Sequence, residues 1–204
     1  GNRLKDPYAI LRNSLPIDQK ELRELQNKLE DTSDDLRGSR WSAVRKATSR
    51  SQFLVSNKKN QILESIPEEN KEKAVSLLSN LKEDLDQLGQ IANEKDKVLF
   101  LNVRRQSLKT IDDIESLLIT NKFPYNIPKE YDNLPRLLGR ANVEIKTSKG
   151  NMNAIIDGYN APLTAGAFVD LSLKGFYDGL PINRAEEFFI LQTGDPQGDE
   201  IGYV

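Results

Sequence analysis

The 204-residue sequence contains no cysteine and no histidine. These absences exclude disulfides, thiolate chemistry, Cys/His zinc sites and any catalytic Ser-His or Cys-His pair. Sites built from oxygen ligands remain open, but no stretch has the carboxylate spacing of a calcium-binding loop. We therefore expect neither a metal nor a cofactor.

The sequence also lacks a long apolar run. No segment approaches the ~20 apolar residues that a transmembrane helix needs, so the chain is not expected to span a membrane. It opens with Gly1-Asn2-Arg3-Leu4, without a basic and apolar leader, and its only methionine is Met152. Either a targeting peptide has been removed or the chain has been shortened, and we favour the removed targeting peptide.

The charges nearly cancel, with 29 basic and 31 acidic residues and a net charge of −2. This balance gives no reason to expect attraction to nucleic acid or to an acidic membrane. Asn57-Lys58-Lys59-Asn60 is a local basic run. We expect it to be a solvated surface, and the alternative is a basic patch for docking.

Residues 1–122 are predicted to form an all-α four-helix bundle. Their apolar residues recur at intervals of three and four, which is the spacing of one helix face. Pro67 followed by Glu68 and Glu69 is typical of a helix start. Short connections between four such stripes favour an up-down bundle. The first stripe consists of Leu22, Leu25, Leu29 and Leu36, and the second of Trp41, Val44, Ala47, Leu54, Val55, Ile62 and Leu63. The third consists of Val75, Leu78, Leu81, Leu85, Leu88 and Ile91, and the fourth of Val98, Leu101, Leu108, Ile111, Ile114 and Leu118. Trp41 is expected to be buried among them.

The pattern changes at residues 123–139, where prolines at 124, 128 and 135 predict a proline-rich linker. From residue 140 the apolar residues alternate, which predicts a hairpin around Lys149-Gly150. Pro162 is expected to begin a helix that ends at Gly175. Two short strands, at 181–184 and 188–193, complete the prediction.

Three motifs in this second part occur in the order and spacing of one family. Tyr159 to Val169 reads YNAPLTAGAFV, Gly175 to Gly179 reads GFYDG, and Asn183-Arg184 is followed by FILQTGD at 189–195. Together they resemble the first half of a cyclophilin-type peptidyl-prolyl isomerase domain, over residues 140–204. The resemblance implies part of a β-barrel fold.

The first part resembles one branch of that family. RNSLPID at 12–18, FPY at 123–125 and LGRA at 138–141 are similar to segments of multidomain thylakoid-lumen cyclophilins of cyanobacteria and chloroplasts. In that branch the helices resemble the Q-type extrinsic subunit of photosystem II. The resemblance implies a folding catalyst of the thylakoid lumen that assists photosystem II assembly or maintenance. Its implied partners are proline-containing protein segments and lumenal parts of photosystem II subunits, and it implies association with a membrane complex.

The resemblance also assigns roles to single residues. Arg184 matches the catalytic arginine, Phe189 and Ile190 match the pocket that receives the proline ring, and Gln192 matches the side chain that binds the substrate backbone. Asn183 stands where the family usually has histidine, and Phe188 and Thr193 stand where glycines are usual. The alternative for Arg184 is a surface salt bridge, and for Phe189 and Ile190 it is barrel core.

Two readings of function remain open from the sequence. One is a peptidyl-prolyl cis-trans isomerase. The other is a non-catalytic docking or scaffold protein, or an extrinsic subunit, bound to a photosystem through its helical bundle. A closed barrel of this family has about eight strands, so the four predicted here would leave unpaired edges. We expect downstream residues to cover those edges.

Overall fold

Helices dominate the first part of the chain and short strands the second. The computed structural model describes residues 6, 8–120, 123–187, 189–196 and 198. The chain divides into two units, Gly1–Pro124 and Tyr125–Val204.

The described residues of the first unit contain six α-helices. They are α1 (Ala9–Ser14), α2 (Lys20–Arg37), α3 (Trp41–Asn57), α4 (Lys59–Glu64), α5 (Lys71–Glu94) and α6 (Lys97–Ser116). A 3-10 turn, Glu68–Asn70, precedes α5 behind the predicted Pro67 start. Side-chain oxygens cap two of the long helices, since Gln19 accepts from the Leu22 amide and Asp96 accepts from the Leu99 amide. Such caps satisfy amides that have no partner inside the helix.

The four long helices close into a bundle, which confirms the predicted four-helix architecture. α2 packs on α3, α3 on α5, α5 on α6, and α6 returns to α2. The stripe leucines of α2 and α5 are buried in the shared core. Two predicted core residues are wrong, because Val75 is 40% exposed and Val98 is 71% exposed. Val75 lies one residue, about 100° around the helix, from buried Ala74, and Val98 lies two residues, about 200°, from buried Phe100.

Residues close to Val75 and Val98 in the sequence are buried in the core instead. Ala74 is buried beside Val75, and Phe100 is buried two residues after Val98. Trp41 is half-buried rather than buried, and its ring meets the edge of the Phe100 ring at a centroid distance of 6.2 Å. The first residue of a helix has no preceding turn to cover it, so a large ring there keeps one side in solvent.

A cluster of charged side chains lies buried inside the bundle. The Arg12 guanidinium bonds to Asp6 and, at 2.9 Å, to Glu30. Arg104 is 5% exposed, and its Nη1 donates to the hydroxyls of Thr32 and Ser33 at 2.9 and 2.8 Å. Burial lowers the pKa of Arg104, while Asp6 and Glu30 raise it in part. The cluster joins α1, α2 and α6, because its members come from all three.

Glu115 is a member of this cluster whose carboxyl group has no hydrogen bond among the described residues. Its side chain is 0% exposed. Arg23 Nη1 approaches Oε1 at 3.6 Å but donates at 2.8 Å to the Arg12 carbonyl. Arg23 Nη2 donates at 2.6 Å to the Leu15 carbonyl. Burial raises the pKa of Glu115 to about 7, and Arg23 offsets only part of that rise.

The second unit starts at Tyr125 and contains a 3-10 turn, Lys129–Tyr131. A β-hairpin follows from residue 140, as predicted. β1 (Arg140–Thr147) and β2 (Gly150–Asp157) pair antiparallel, with Val143 opposite Ala154. α7 (Pro162–Leu173) follows. Gly175, two residues after its end, has a φ of +72°, which is incompatible with a continuing right-handed helix. β3 (Arg184–Glu186) and β4 (Ile190–Gln192) form a second antiparallel pair. The strand predicted at 181–184 was placed too early, because β3 begins only at Arg184. β4 is shorter than the predicted strand at 188–193, and Phe188 lies outside the described residues.

Residues 135–139 run against the hairpin and α7, and we call them the strap. The Leu137 amide donates to the Pro162 carbonyl at 3.0 Å, and the Gly158 amide donates to the Gly139 carbonyl at 2.8 Å. A Cβ on Gly166 would lie 2.3 Å from the Arg136 Cα, so only glycine lets the two backbones approach this closely. Residues 125–139 of the predicted linker therefore belong to the second unit.

Candidate functional site

The pairing of β3 with β4 brings three of the four predicted site residues onto one face. Arg184 lies directly opposite Gln192, and Glu186 lies opposite Ile190. Residues two apart on a strand share a face, so Arg184, Gln192 and Ile190 point to the same side. The Asn183 amide donates to the Gln192 carbonyl at 2.8 Å and extends the ladder by one bond. The pairing of the two strands therefore brings Arg184, Ile190 and Gln192 together on one surface.

Arg184 is half-exposed and is held by a neighbour on its own strand. Its Nε and Nη2 donate to Oε1 of Glu186 at 2.7 and 2.5 Å. Both side chains are about half exposed, so the pair contributes only about 0–1 kcal/mol to stability. The pairing fixes the direction of the guanidinium while leaving Nη1 open to a further acceptor. Glu186 was not predicted from the sequence, although strand alternation places it beside Arg184.

Phe189 and Ile190 line a shallow cleft next to this face. The cleft holds about 480 Å³ and is lined by Ala185, Glu186, Glu187, Phe189, Ile190 and Leu191. Phe189 lies in the turn before β4 and is 75% exposed, and its amide donates to the Glu186 carbonyl at 3.1 Å. An exposed ring beside a half-buried isoleucine is an apolar surface that a proline ring could contact.

A glycine-bounded loop lies before this site along the chain. Gly175 and Gly179 have φ of +72° and +79°, a region where glycine carries no steric cost. The loop holds Phe176 and Tyr177 with ring centroids 5.1 Å apart, edge to face, and Tyr177 also stacks on Phe168 of α7 at 5.1 Å. The GFYDG motif is therefore a packed corner that anchors the end of α7.

The described residues contain neither a metal-binding cluster nor a membrane-spanning helix. No group of three or more His, Cys, Asp or Glu side chains there is arranged to hold a metal ion. Among the helices that the structure describes, none is long and apolar enough to cross a membrane.

Comparison with known proteins agrees with both parts of this architecture. Residues 6–119 match the family model described as the PsbQ-like domain of CYP38-like peptidyl-prolyl cis-trans isomerases. Residues 142–203 match the model of the cyclophilin-type peptidyl-prolyl cis-trans isomerases. A helical bundle followed by part of a cyclophilin domain defines the class. The chain belongs to the CYP38-like family of cyclophilins.

Named relatives share both parts. A Synechocystis protein named as a thylakoid lumen peptidyl-prolyl cis-trans isomerase is 45% identical over 204 residues, which are all of this chain and 54% of that protein. The chloroplastic isomerase CYP38 of Arabidopsis thaliana is 35% identical over 215 residues, covering all of this chain and 49% of CYP38. CYP37 of the same plant is 31% identical, over 94% of this chain and 46% of CYP37. The chain spans about half the length of these relatives.

Proposed function

We propose that this chain is part of a peptidyl-prolyl cis-trans isomerase that acts as a folding catalyst in the thylakoid lumen. The observation that carries the proposal is the β3–β4 register, which sets Arg184 opposite Gln192 with Ile190 on the same face. The match of residues 142–203 to the cyclophilin family and the names of the relatives support it.

The chemistry needs no nucleophile. Rotation about a prolyl peptide bond is slow because the C–N bond is partly double, with a barrier of ~18–20 kcal/mol. In the twisted state the nitrogen lone pair is no longer shared with the carbonyl. A guanidinium N–H of Arg184 directed at that nitrogen stabilises the twisted state electrostatically. Phe189 and Ile190 hold the proline ring, and Gln192 bonds to the substrate backbone.

Exchange spectroscopy on a proline-containing peptide tests this role, using the full-length protein that contains the whole cyclophilin domain. Arg184→Ala should lower kcat/KM by ~10²–10³. Arg184→Lys should restore little, because a point charge does not reproduce the planar guanidinium. Arg105→Ala changes an exposed arginine of α6 and should leave turnover unchanged. Unchanged turnover in Arg184→Ala would remove Arg184 from the mechanism.

The bundle supports a second function, docking to photosystem II during its assembly or maintenance. The specific observation is the match of residues 6–119 to the PsbQ-like model. In this function the bundle carries the isomerase to its client or acts as a scaffold without catalysis. Binding of the chain to purified photosystem II particles, measured with and without Arg184→Ala, separates the two roles. Binding that survives loss of turnover supports docking, and absence of binding contradicts it.

A further inference from the structure

The basic residues of the first unit are concentrated in one segment. Residues 36–63 contain no aspartate or glutamate. They contain seven basic residues, which are Arg37, Arg40, Arg45, Lys46, Arg50, Lys58 and Lys59. This segment includes all of α3 and the first turn of α4. The near-zero net charge of the chain therefore conceals a strongly positive segment.

Neighbouring acids neutralise only part of this segment. Arg37 pairs with Asp34, Arg40 with Asp35 at 2.9 Å, and Arg50 with Glu24 at 2.6 Å. The other four have no hydrogen-bond or ion-pair partner among the described residues, namely Arg45, Lys46, Lys58 and Lys59. These four cations are available to an external anion.

The outward face of α3 is defined here as Ser42, Lys46, Ser49, Arg50, Phe53, Ser56 and Asn57. It lies opposite the buried face of Val44, Thr48, Ser51, Leu54 and Val55. Phe53 is 43% exposed, with the Arg50 guanidinium carbon 5.2 Å from its ring centroid. From Lys46 to Asn57 the face extends about 16 Å at the helical rise. Lys58 and Lys59 follow it directly in the chain and are half-buried.

The fold gains little from the four cations of this segment that have no partner among the described residues. Lys46 and Arg50 are like charges four residues apart on one helix, an arrangement that costs a few tenths of a kcal/mol rather than adding stability. The first turn of α3 contains no acidic residue, although the amino end of a helix favours negative charge. Because this charge arrangement does not favour helix stability, binding of an external partner explains it more readily.

We propose that the outward face of α3 binds the anionic headgroups of a lipid bilayer. Cations near such a surface each strengthen binding by about fivefold. One exposed phenylalanine among small serines is suited to entering the interface between headgroups and acyl chains while the cations meet the phosphates. A protein partner would instead need an apolar centre within roughly 800 Å² of contact, which one ring does not supply.

Vesicle binding by the complete chain tests the proposal. The vesicles contain either phosphatidylcholine alone or phosphatidylcholine with about 30 mol% phosphatidylglycerol, at low and at near-physiological salt. Binding should require phosphatidylglycerol and weaken as salt rises. The triple variant Lys46→Gln, Lys58→Gln, Lys59→Gln should bind on the order of 100-fold less tightly.

A matched variant separates the face from net charge. Lys73→Gln, Lys95→Gln, Lys97→Gln removes three exposed lysines from α5, α6 and the turn between them. It should bind nearly as the parent does. An equal loss in both triple variants would mean that net charge alone governs binding and would overturn the proposal. Absence of binding to phosphatidylglycerol vesicles at low salt would overturn it as well.

A fluorescent label reports which face approaches the lipid. Because the chain has no cysteine, Ser49→Cys can carry one probe on the outward face of α3. Ser79→Cys carries the same probe on the exposed side of α5. Emission should shift to the blue on vesicles only for the label at residue 49. Tighter binding to polyglutamate or duplex DNA than to the vesicles would assign the face to a protein or nucleic acid instead.

Discussion

Burial of Glu115 predicts that acid stabilises the helical bundle. The folded-state pKa is raised to about 7 from an ordinary value of 4.5, so the folded chain holds a proton that the unfolded chain releases between these pH values. The free energy of unfolding therefore falls as pH rises from about 4.5 to about 7. The difference between the two pKa values corresponds to roughly 3 kcal/mol.

Urea unfolding followed by far-UV circular dichroism measures this effect, because the long helices lie in the bundle. Between about pH 5 and pH 8 the parent should lose roughly 2–3 kcal/mol relative to Glu115→Gln. The amide of the variant stays neutral and has nearly the same shape. Comparing the two proteins at each pH cancels the titration of every other group. The variant should be the more stable protein above pH 7.

Glu94→Gln is the matched control, since it makes the same change at an exposed position of α5. It should follow the parent at every pH. Parallel curves for the parent and Glu115→Gln would refute the reasoning. That result would mean that Arg23, 3.6 Å away, keeps the carboxyl ionised despite its burial.

Four further predictions concern stability and packing. Leu85→Ala, at a fully buried position of α5, should lower the free energy of unfolding by ~2–5 kcal/mol, while Leu99→Ala, at a 40% exposed position, should cost much less, as urea titrations would show. Residues 1–122 alone should unfold cooperatively on heating, and a gradual loss of helix would contradict this. The fluorescence emission maximum of Trp41 should lie between those of buried and of fully exposed tryptophan, and acrylamide should quench the emission in part, because Trp41 is half-buried. Gly166→Ala should loosen the second unit and reduce amide protection in the strap, and unchanged protection would show that the close contact relaxes without cost.

Helical spacing predicted the bundle well because leucines at intervals of three and four leave little choice of buried face. The buried charges were not predicted, although the sequence carried a signal for them. Arg104, Leu108, Ile111 and Glu115 are spaced four, three and four residues apart, so two charged residues occupy core positions of α6. Their partners on α1 and α2 depend on how three elements meet, which one-dimensional periodicity does not contain.

The candidate site was predicted from motifs, and the structure adds its geometry. The eight-residue separation of Arg184 and Gln192 suits two strands joined by a tight turn, and the register sets them opposite each other. The roles of Arg184, Phe189, Ile190 and Gln192 stay predictions until turnover is measured. The ends of the strands were less predictable, because 181–183 lies outside β3 and β4 ends at Gln192.

The strap has a practical consequence for anyone dividing the chain for expression. A fragment that begins at residue 140, where the strands start, leaves out the carbonyl of Gly139 that accepts from Gly158 and the amide of Leu137 that donates to Pro162. It also uncovers Gly166, whose missing side chain makes room for Arg136. Beginning the fragment at Tyr125 keeps these backbone partners together. Low stability or aggregation of a fragment that begins at residue 140 would then result from the loss of the strap and would not measure the intrinsic stability of the second unit.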